Sequence, residues 1–124
     1  MEERDTQTHT VIGAAIEVHR VMGPGLLESV YQACLEEELR LRGMDFTSQH
    51  RLPLVYKDRH LADAFVLDFY FPGQLVVELK AVEKLLPVHE AQLLTYLRLS
   101  KTKVGLLLNF NVPALKNGMK RMGL

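Results

Sequence analysis

The sequence predicts an α/β domain with a central mixed β-sheet flanked by helices, in the order α, α, β, β, β, α, β. Apolar residues recur at helical spacing in two segments near the N-terminus and in a third segment before the last strand. Three neighbouring segments between these helices are rich in aromatic and β-branched residues, as strands are. The run Lys103–Phe110 is short, continuous and apolar, which is typical of a strand buried on both faces.

The first two helices are delimited by glycine. Apolar residues recur from about Thr10 to Met22, and Gly23-Pro24-Gly25 ends this helix. A second helix is predicted from about Leu26 to Arg42, with Gly43 as its C-terminal stop. Residues 1–8 are polar, and we expect them to be flexible.

The later elements follow in the same way. Phe46–Tyr56 has the composition of a strand, and Pro53 within it indicates an edge strand or a bulge. Lys57-Asp58-Arg59 is predicted to turn the chain into the next strand. A third helix runs from about Pro87 to Leu99, since proline is accepted in a first helical turn. The segment after Pro113 is predicted as a short basic helix.

The central hairpin carries the candidate chemistry. Alternation predicts one apolar face on its first strand, made of Phe65, Leu67, Phe69 and Phe71. Pro72-Gly73 then turns the chain, and a second β-rich run begins at Leu75. Glu78 and Lys80 are two residues apart in that run, so on a strand they share a face.

The length of the hairpin loop decides whether Asp68 joins them. A two-residue loop pairs Asp68 with Val77, whereas a three-residue loop pairs it with Glu78. Only the second register puts Asp68, Glu78 and Lys80 on one face. Two carboxylates and an ammonium suit a divalent metal that prefers oxygen ligands, next to a lysine that holds a water. The alternative is a solvated strand face with a Glu–Lys pair, which the hairpin alone favours.

Length and composition limit the class of protein. The 124 residues predict one domain spanning residues 1–124. The single cysteine, Cys34, excludes a disulfide framework and a cysteine-based metal site within one chain. No apolar run approaches the length of a membrane span, and the charged start of the chain is unlike a signal peptide. We therefore expect a soluble, cytoplasmic protein without membrane contact.

Charge is unevenly distributed although the net charge is zero. Residues 1–70 contain 12 acidic and 7 basic residues, whereas residues 71–124 contain 3 acidic and 8 basic ones. No acidic residue follows Ala91. This asymmetry indicates an end that faces a polyanion. The alternative is a single domain whose two ends simply differ in charge.

Three short motifs carry a family resemblance. Gly25-Leu-Leu-Glu28-Ser-Val-Tyr31 is a GxxExxY pattern at the start of a helix. Asp68, followed by Glu78-Leu-Lys80, resembles the signature of the PD-(D/E)xK nuclease superfamily. Gln92-Leu-Leu-Thr-Tyr96 is similar to the QxxxY pattern of its RecB-like members. The chain from about His19 to Lys120 also resembles the GxxExxY protein family within that superfamily.

The resemblance implies a restriction-endonuclease-like core with its site on the central hairpin. By position, Asp68 and Glu78 would be ligands of Mg or Mn, with the carbonyl of Leu79 as another. Lys80 would position or activate the attacking water. Glu28 would sit beside the metals.

Further residues would surround these ligands. Gln92 and Tyr96 would orient the site or contact the nucleic-acid backbone, and Tyr31 of the GxxExxY pattern would belong to the same group. His19 would join the site, as an upstream histidine does in RecB-like members. One departure is Leu67, which stands where the superfamily has its proline, a common variation that leaves the ligand residues unchanged.

The function implied is metal-dependent hydrolysis of phosphodiester bonds in DNA or RNA. The alternative is a non-catalytic nucleic-acid-binding or protein-interaction module on the same fold. The 124 residues contain no dedicated DNA-binding appendage. That favours the alternative, or a homodimer or protein partner that supplies the grip on substrate. A third possibility is a structural protein whose charges are merely solvated.

Overall fold

The computed structural model of the protein describes residues 3–124, with side chains from residue 6 onward. The predicted element order is confirmed as far as the fourth strand. The elements are α1 (Glu3–Met22), α2 (Glu28–Leu41), β1 (Thr47–Tyr56), β2 (Arg59–Phe71), β3 (Leu75–Lys80), α3 (Pro87–Ser100), β4 (Val104–Asn109), a 3₁₀ helix (Leu115–Gly118) and β5 (Met119–Gly123).

The first helix begins earlier than the apolar periodicity indicates. Helix α1 starts at Glu3 rather than at about Thr10, so polar residues form its first turns. Residues 1 and 2 lie outside the described part of the chain, and the predicted flexibility of residues 1–8 stays a prediction. Hydrophobic spacing detects only the part of a helix that is packed against a core, which explains the late predicted start.

The turn between α1 and α2 is held by a tyrosine. Gly23 and Gly25 take left-handed φ angles of +71° and +93°, which glycine adopts at little cost. The Tyr31 hydroxyl donates to the Gly23 carbonyl at 2.6 Å and accepts from the Leu26 amide at 3.2 Å. These bonds satisfy backbone groups between the helices and fix α2 against α1.

The five strands form one mixed sheet in the order β1-β2-β3-β4-β5. Strand β3 pairs with β4 in parallel, and the other three pairings are antiparallel. Helix α3 makes the crossover that a parallel pair requires. Strand β1 lies at an edge, and its register shifts between Leu52 and Leu54, around Pro53. The predicted mixed sheet and the role of Pro53 are both confirmed.

Helices cover both faces of this sheet. Residues of α1 and α2 pack on one face against β2, β3 and β4, with Tyr31, Leu35, Phe69, Phe71 and Phe110 among the largest buried side chains. Helix α3 packs on the other face through Leu93, Tyr96 and Leu97. Among the described residues, no helix is both long enough and apolar enough to cross a membrane.

The predicted basic helix after Pro113 is wrong. The chain makes one 3₁₀ turn and then forms β5, which pairs antiparallel with β4. Strand β4 is buried along its length, so its second edge needs backbone partners. Gly118 permits the approach, since a Cβ there would lie 2.2 Å from the Asn109 carbonyl oxygen.

Candidate active site

The candidate site lies where β2 and β3 separate. The paired residues are Phe71 with Leu75, Tyr70 with Val76 and Phe69 with Val77, which confirms the register of a three-residue loop. Beyond these pairs, hydrogen bonds from backbone amides to carboxylate side chains replace the backbone-to-backbone bonds between the strands. The Asp68 amide donates to Glu78 Oε2 at 2.7 Å, and the Leu79 amide donates to Asp68 Oδ2 at 2.8 Å. The two carboxylates are therefore brought together across the strands.

Strand β2 changes its buried face at Asp68. Phe69 and Phe71 pack in the core beneath α1 and α2, whereas Phe65 and Leu67 pack in the core beneath α3. The single apolar face predicted for these four residues is wrong. Regular alternation would keep residues 67 and 69 on one side. The local break accompanies the insertion of the two carboxylates between the strands.

Burial and mutual repulsion dominate the electrostatics of the acids. Glu78 is only 5% exposed, and burial followed by the Asp68 charge raises its pKa to about 9. Burial also raises the pKa of Asp68, against the hydrogen bonds from Leu79 and Gln49. The pKa of Glu28, at the start of α2, is raised by burial and then by Asp68. The charge of Lys80 opposes all three increases.

Helix α3 supplies two further side chains to the site. The Lys80 ammonium donates to Gln92 Oε1 at 3.3 Å. Tyr96 is 7% exposed, and its pKa is raised by burial and by the charges of Glu78 and Asp68. Glu78 and Lys80 thus face α3, as their two-residue spacing requires. The structure brings Gln92 to Lys80 and places Tyr96 near Glu78 and Asp68, and the roles of both residues stay predictions.

Tyr31 and His19 have partners other than the carboxylates. Tyr31 is fully buried, holds the turn between α1 and α2, and stacks on Phe110 with ring centroids 4.6 Å apart. His19 Nε2 lies 2.7 Å from the Val112 carbonyl oxygen, and its ring is tilted against Phe110. Among the described contacts, neither side chain orients Asp68 or Glu78. Both instead join α1 and α2 to the core and to the segment after β4.

Sequence reasoning missed two glutamines that contact Asp68. Gln32 Nε2 lies 3.2 Å from the Asp68 carbonyl oxygen and 3.3 Å from Ser48 Oγ. Gln49 Nε2 donates to Asp68 Oδ1 at 3.1 Å. Gln32 follows Glu28 by four residues and so shares its helical face, a signal that could have found it. Gln49 carries no such signal, because its contact depends on the β1–β2 register.

Asn109, at the end of β4, forms hydrogen bonds to the main chain two residues after Lys80. Its buried side chain accepts from the Val82 amide at 3.1 Å and donates to the Val82 carbonyl at 2.9 Å. The next residue, Phe110, donates its amide to the Lys80 carbonyl at 2.9 Å. These bonds fix Lys80 and the chain just after it to the end of β4.

The donors around the carboxylates are chemically suited to a hard divalent cation. Glu28, Ser29, Gln32, Gln49 and Asp68 line a cavity of about 330 Å³ beside the strands, and every one of them offers oxygen. Within residues 6–124, no group of three acidic, histidine or cysteine side chains already has the spacing of a metal centre. Burial and then the charge of Asp68 raise the pKa of Glu78, and a cation would relieve the second of these, the repulsion between the two carboxylates. These residues therefore fit Mg or Mn.

A family model described as the PD-(D/E)XK nuclease superfamily matches residues 5–122, nearly the whole chain. No curated protein and no solved structure gives a significant match. The match is made at the level of the superfamily, and the narrower resemblance to the GxxExxY family stays a prediction.

Proposed function

This chain belongs to the PD-(D/E)XK nuclease superfamily, and we propose that it hydrolyses phosphodiester bonds in DNA or RNA with Mg or Mn. The observation that carries the proposal is the pair of cross-strand hydrogen bonds, Asp68 amide to Glu78 and Leu79 amide to Asp68, that brings the two carboxylates together where β2 and β3 separate. The same strand end presents Lys80 toward α3, bonded to Gln92. Acids, lysine and glutamine that are distant in sequence thus share one small region.

Each side chain has a proposed role. Asp68 and Glu78 would hold the cation, with Glu28 and the Leu79 carbonyl as further ligands. When bound, such a cation polarises the phosphate and lowers the pKa of a bound water. The metal set proposed here is all oxygen, which suits Mg²⁺ or Mn²⁺.

Lys80 would act on the water and on the developing charge. Its ammonium favours the ionised form of all three acids, so its charge reaches the whole site. It can donate a hydrogen bond to the attacking water and offset negative charge on the phosphate. Gln92 keeps the ammonium in place, and the Tyr96 hydroxyl, whose pKa is raised, stays protonated as a donor.

Lys80→Ala should abolish hydrolysis while leaving metal binding intact or tighter, because it removes a positive charge from beside the cation. The measurements are cleavage and the Mn²⁺ dissociation constant of the same preparation. Unchanged cleavage would reassign Lys80 to a surface pair with little effect on function.

A second candidate is a non-catalytic nucleic-acid-binding or protein-interaction module. It is favoured by one observation: each carboxylate accepts a hydrogen bond from a backbone amide of the neighbouring strand. Asp68 and Glu78 would then satisfy the open ends of the ladder, which is a purely structural task.

A cleavage assay separates the two candidates. The wild type is incubated with Mn²⁺ and a mixture of DNA and RNA, beside Glu78→Gln and the matched control Glu37→Gln on the exposed face of α2. Glutamine keeps an acceptor for the Asp68 amide but cannot carry the negative charge. A nuclease loses cleavage in Glu78→Gln and keeps it in Glu37→Gln. A module shows no metal-dependent cleavage in any of the three.

The grip on substrate is proposed to come from the basic C-terminal part. Arg98, Lys101, Lys103 and Lys116 lie there, on or after α3. Lys120 is paired with Glu90 at 2.8 Å, so it contributes less than its sequence position indicates. A homodimer or a protein partner that completes the grip stays a proposal.

A further inference from the structure

We propose that Gln49 is a positioning residue of the metal site, with its side-chain amide setting the orientation of the Asp68 carboxylate. The inference rests on the proposed function, since it assigns Gln49 a task in the same site.

Gln49 has an unusual backbone for a residue inside a strand. Its φ is +53°, in the left-handed region that residues other than glycine rarely adopt. The residues on either side remain in the β1–β2 ladder, Ser48 opposite Phe69 and His50 opposite Leu67. Gln49 therefore stands opposite Asp68 without being one of the ladder pairs. Such strained positions persist where the surrounding structure requires them, and they cluster at functional sites.

The strained conformation directs the Gln49 amide to Asp68. Nε2 donates to Asp68 Oδ1 at 3.1 Å, while the Leu79 amide occupies Oδ2. Hydrogen bonds at both oxygens restrict rotation of the carboxylate about its bond to Cβ. Each of its oxygens still has a second lone pair, which a cation can use. Gln49 thus fixes the direction of Asp68 and leaves it able to bind.

Helix α2 anchors the segment that carries Gln49. Ser48 Oγ donates to a carboxylate oxygen of Glu36 and accepts from Gln32 Nε2. Gln32 also bonds to the Asp68 carbonyl. Main chain and side chain of Asp68 are therefore both held from α2 and β1, on the side opposite β3. Gln32, Gln49 and Asp68 also line the same cavity of about 330 Å³, next to Glu28.

The test separates the amide from the backbone. Gln49→Gly removes the amide and accommodates a positive φ, whereas Gln49→Ala removes the amide and keeps the strain. The Mn²⁺ dissociation constant is measured for each variant from the rise in melting temperature with Mn²⁺ concentration. If the amide positions Asp68, both variants bind Mn²⁺ about 10- to 100-fold more weakly than the wild type. Excess Mn²⁺ restores their maximal cleavage rate, with the KM for substrate unchanged.

Lys57 provides the matched control. Its φ is +49°, close to that of Gln49, and it lies in the turn between β1 and β2. Lys57→Gly and Lys57→Ala should differ from each other in melting temperature as the Gln49 pair does. Neither should alter the Mn²⁺ dissociation constant, because strain alone does not orient a ligand.

The outcomes that contradict the inference are distinct. If Mn²⁺ does not shift the melting temperature of the wild type, the proposed function fails and this inference with it. If the wild type binds and Gln49→Gly binds equally well, only the inference about Gln49 fails. Loss of binding in Gln49→Ala with full binding in Gln49→Gly also overturns it, because the backbone would then be responsible.

Discussion

Glu78 holds a proton at neutral pH because burial and the Asp68 charge raise its pKa to about 9. The carboxyl is surrounded by groups that either remove water from it or repel its charge. Only the Asp68 amide and Lys80 favour the ionised form. The fold therefore disfavours the ionised form of its own carboxyl groups, as sites evolved for function often do.

Stability without metal should fall as the pH rises from about 5 to about 9. Glu78 binds its proton more tightly in the folded protein than in the unfolded chain. The stabilisation from this proton is therefore complete at pH values below the unfolded-state pKa, near 4.5, and is lost as the pH rises through the folded-state pKa. Asp68 and Glu28 act in the same direction, since their pKa values are also raised. Urea unfolding over this range tests the prediction, and Glu78→Gln should flatten the dependence. A dependence as steep in Glu78→Gln would assign it to other groups.

Metal should stabilise the folded protein through the same acids. Mn²⁺ at a hundredfold excess over its dissociation constant should raise the free energy of unfolding by about 2.7 kcal/mol. Asp68→Asn removes one repelling charge at nearly constant shape, so the metal-free variant should be at least as stable as the wild type. The gain with Mn²⁺ should disappear. Coinciding melting curves for the wild type with and without Mn²⁺ would end the metal-site interpretation.

Binding of Mn²⁺ should also tighten with pH up to about 9, because the cation displaces the proton held by Glu78. Below that value, release of one proton corresponds to about tenfold in affinity per pH unit. Calorimetry in buffers of different ionisation enthalpy would count the protons released. A Mn²⁺ affinity that does not change between pH 6 and pH 8 would show that the cation displaces no proton from Glu78.

The ends of three secondary-structure elements position the residues of the candidate site. Strand β2 pairs with β3 only from Phe69 onward, α2 starts at Glu28, and β3 ends at Lys80. The contacts that hold the end of β3 are distant in sequence, whereas those before α2 are local. The turn before α2 depends on Tyr31, and the end of β3 depends on Phe110 and on the neighbouring Asn109.

Tyr31→Phe should lower the free energy of unfolding by about 0.5–1.5 kcal/mol, because the Gly23 carbonyl and the Leu26 amide lose their common hydrogen-bond partner. Cleavage at saturating Mn²⁺ should be unchanged. Tyr56→Phe at the exposed end of β1 is the control and should change neither quantity. A loss of cleavage without a loss of stability would instead assign Tyr31 to the site.

Acidic and basic residues are concentrated in different parts of the molecule. Acidic residues dominate residues 1–70, and basic residues dominate residues 71–124, although the net charge is zero. In the folded protein α1 and α2 cover one face of the sheet, whereas α3 covers the other. The two parts of the chain are thus partly separated in space as well as in sequence.

Binding to nucleic acid should weaken steeply with salt, and Lys101→Ala, Lys103→Ala and Lys116→Ala together should flatten the dependence. The logarithmic slope should fall by about one for each lysine that contacts a phosphate. Fluorescence anisotropy with Ca²⁺ in place of Mn²⁺ measures this binding. Arg20→Gln with Arg40→Gln, on the outer faces of α1 and α2, is the control. An equal effect of the control would indicate a general response to net charge.

Sequence by itself determined the three α-helices apart from the first turns of α1, the three central strands, and the identity of Asp68, Glu78 and Lys80 as the candidate group. Periodicities of 3.6 and 2, with glycine and proline at the boundaries, are local properties that sequence displays directly. Tertiary structure decided the hairpin register, the change of face at Asp68, strand β5, and the contacts of Gln32 and Gln49. It also gave Tyr31 and His19 backbone partners. The reason is that buried backbone groups must find donors or acceptors, and the partners they find are distant in the chain.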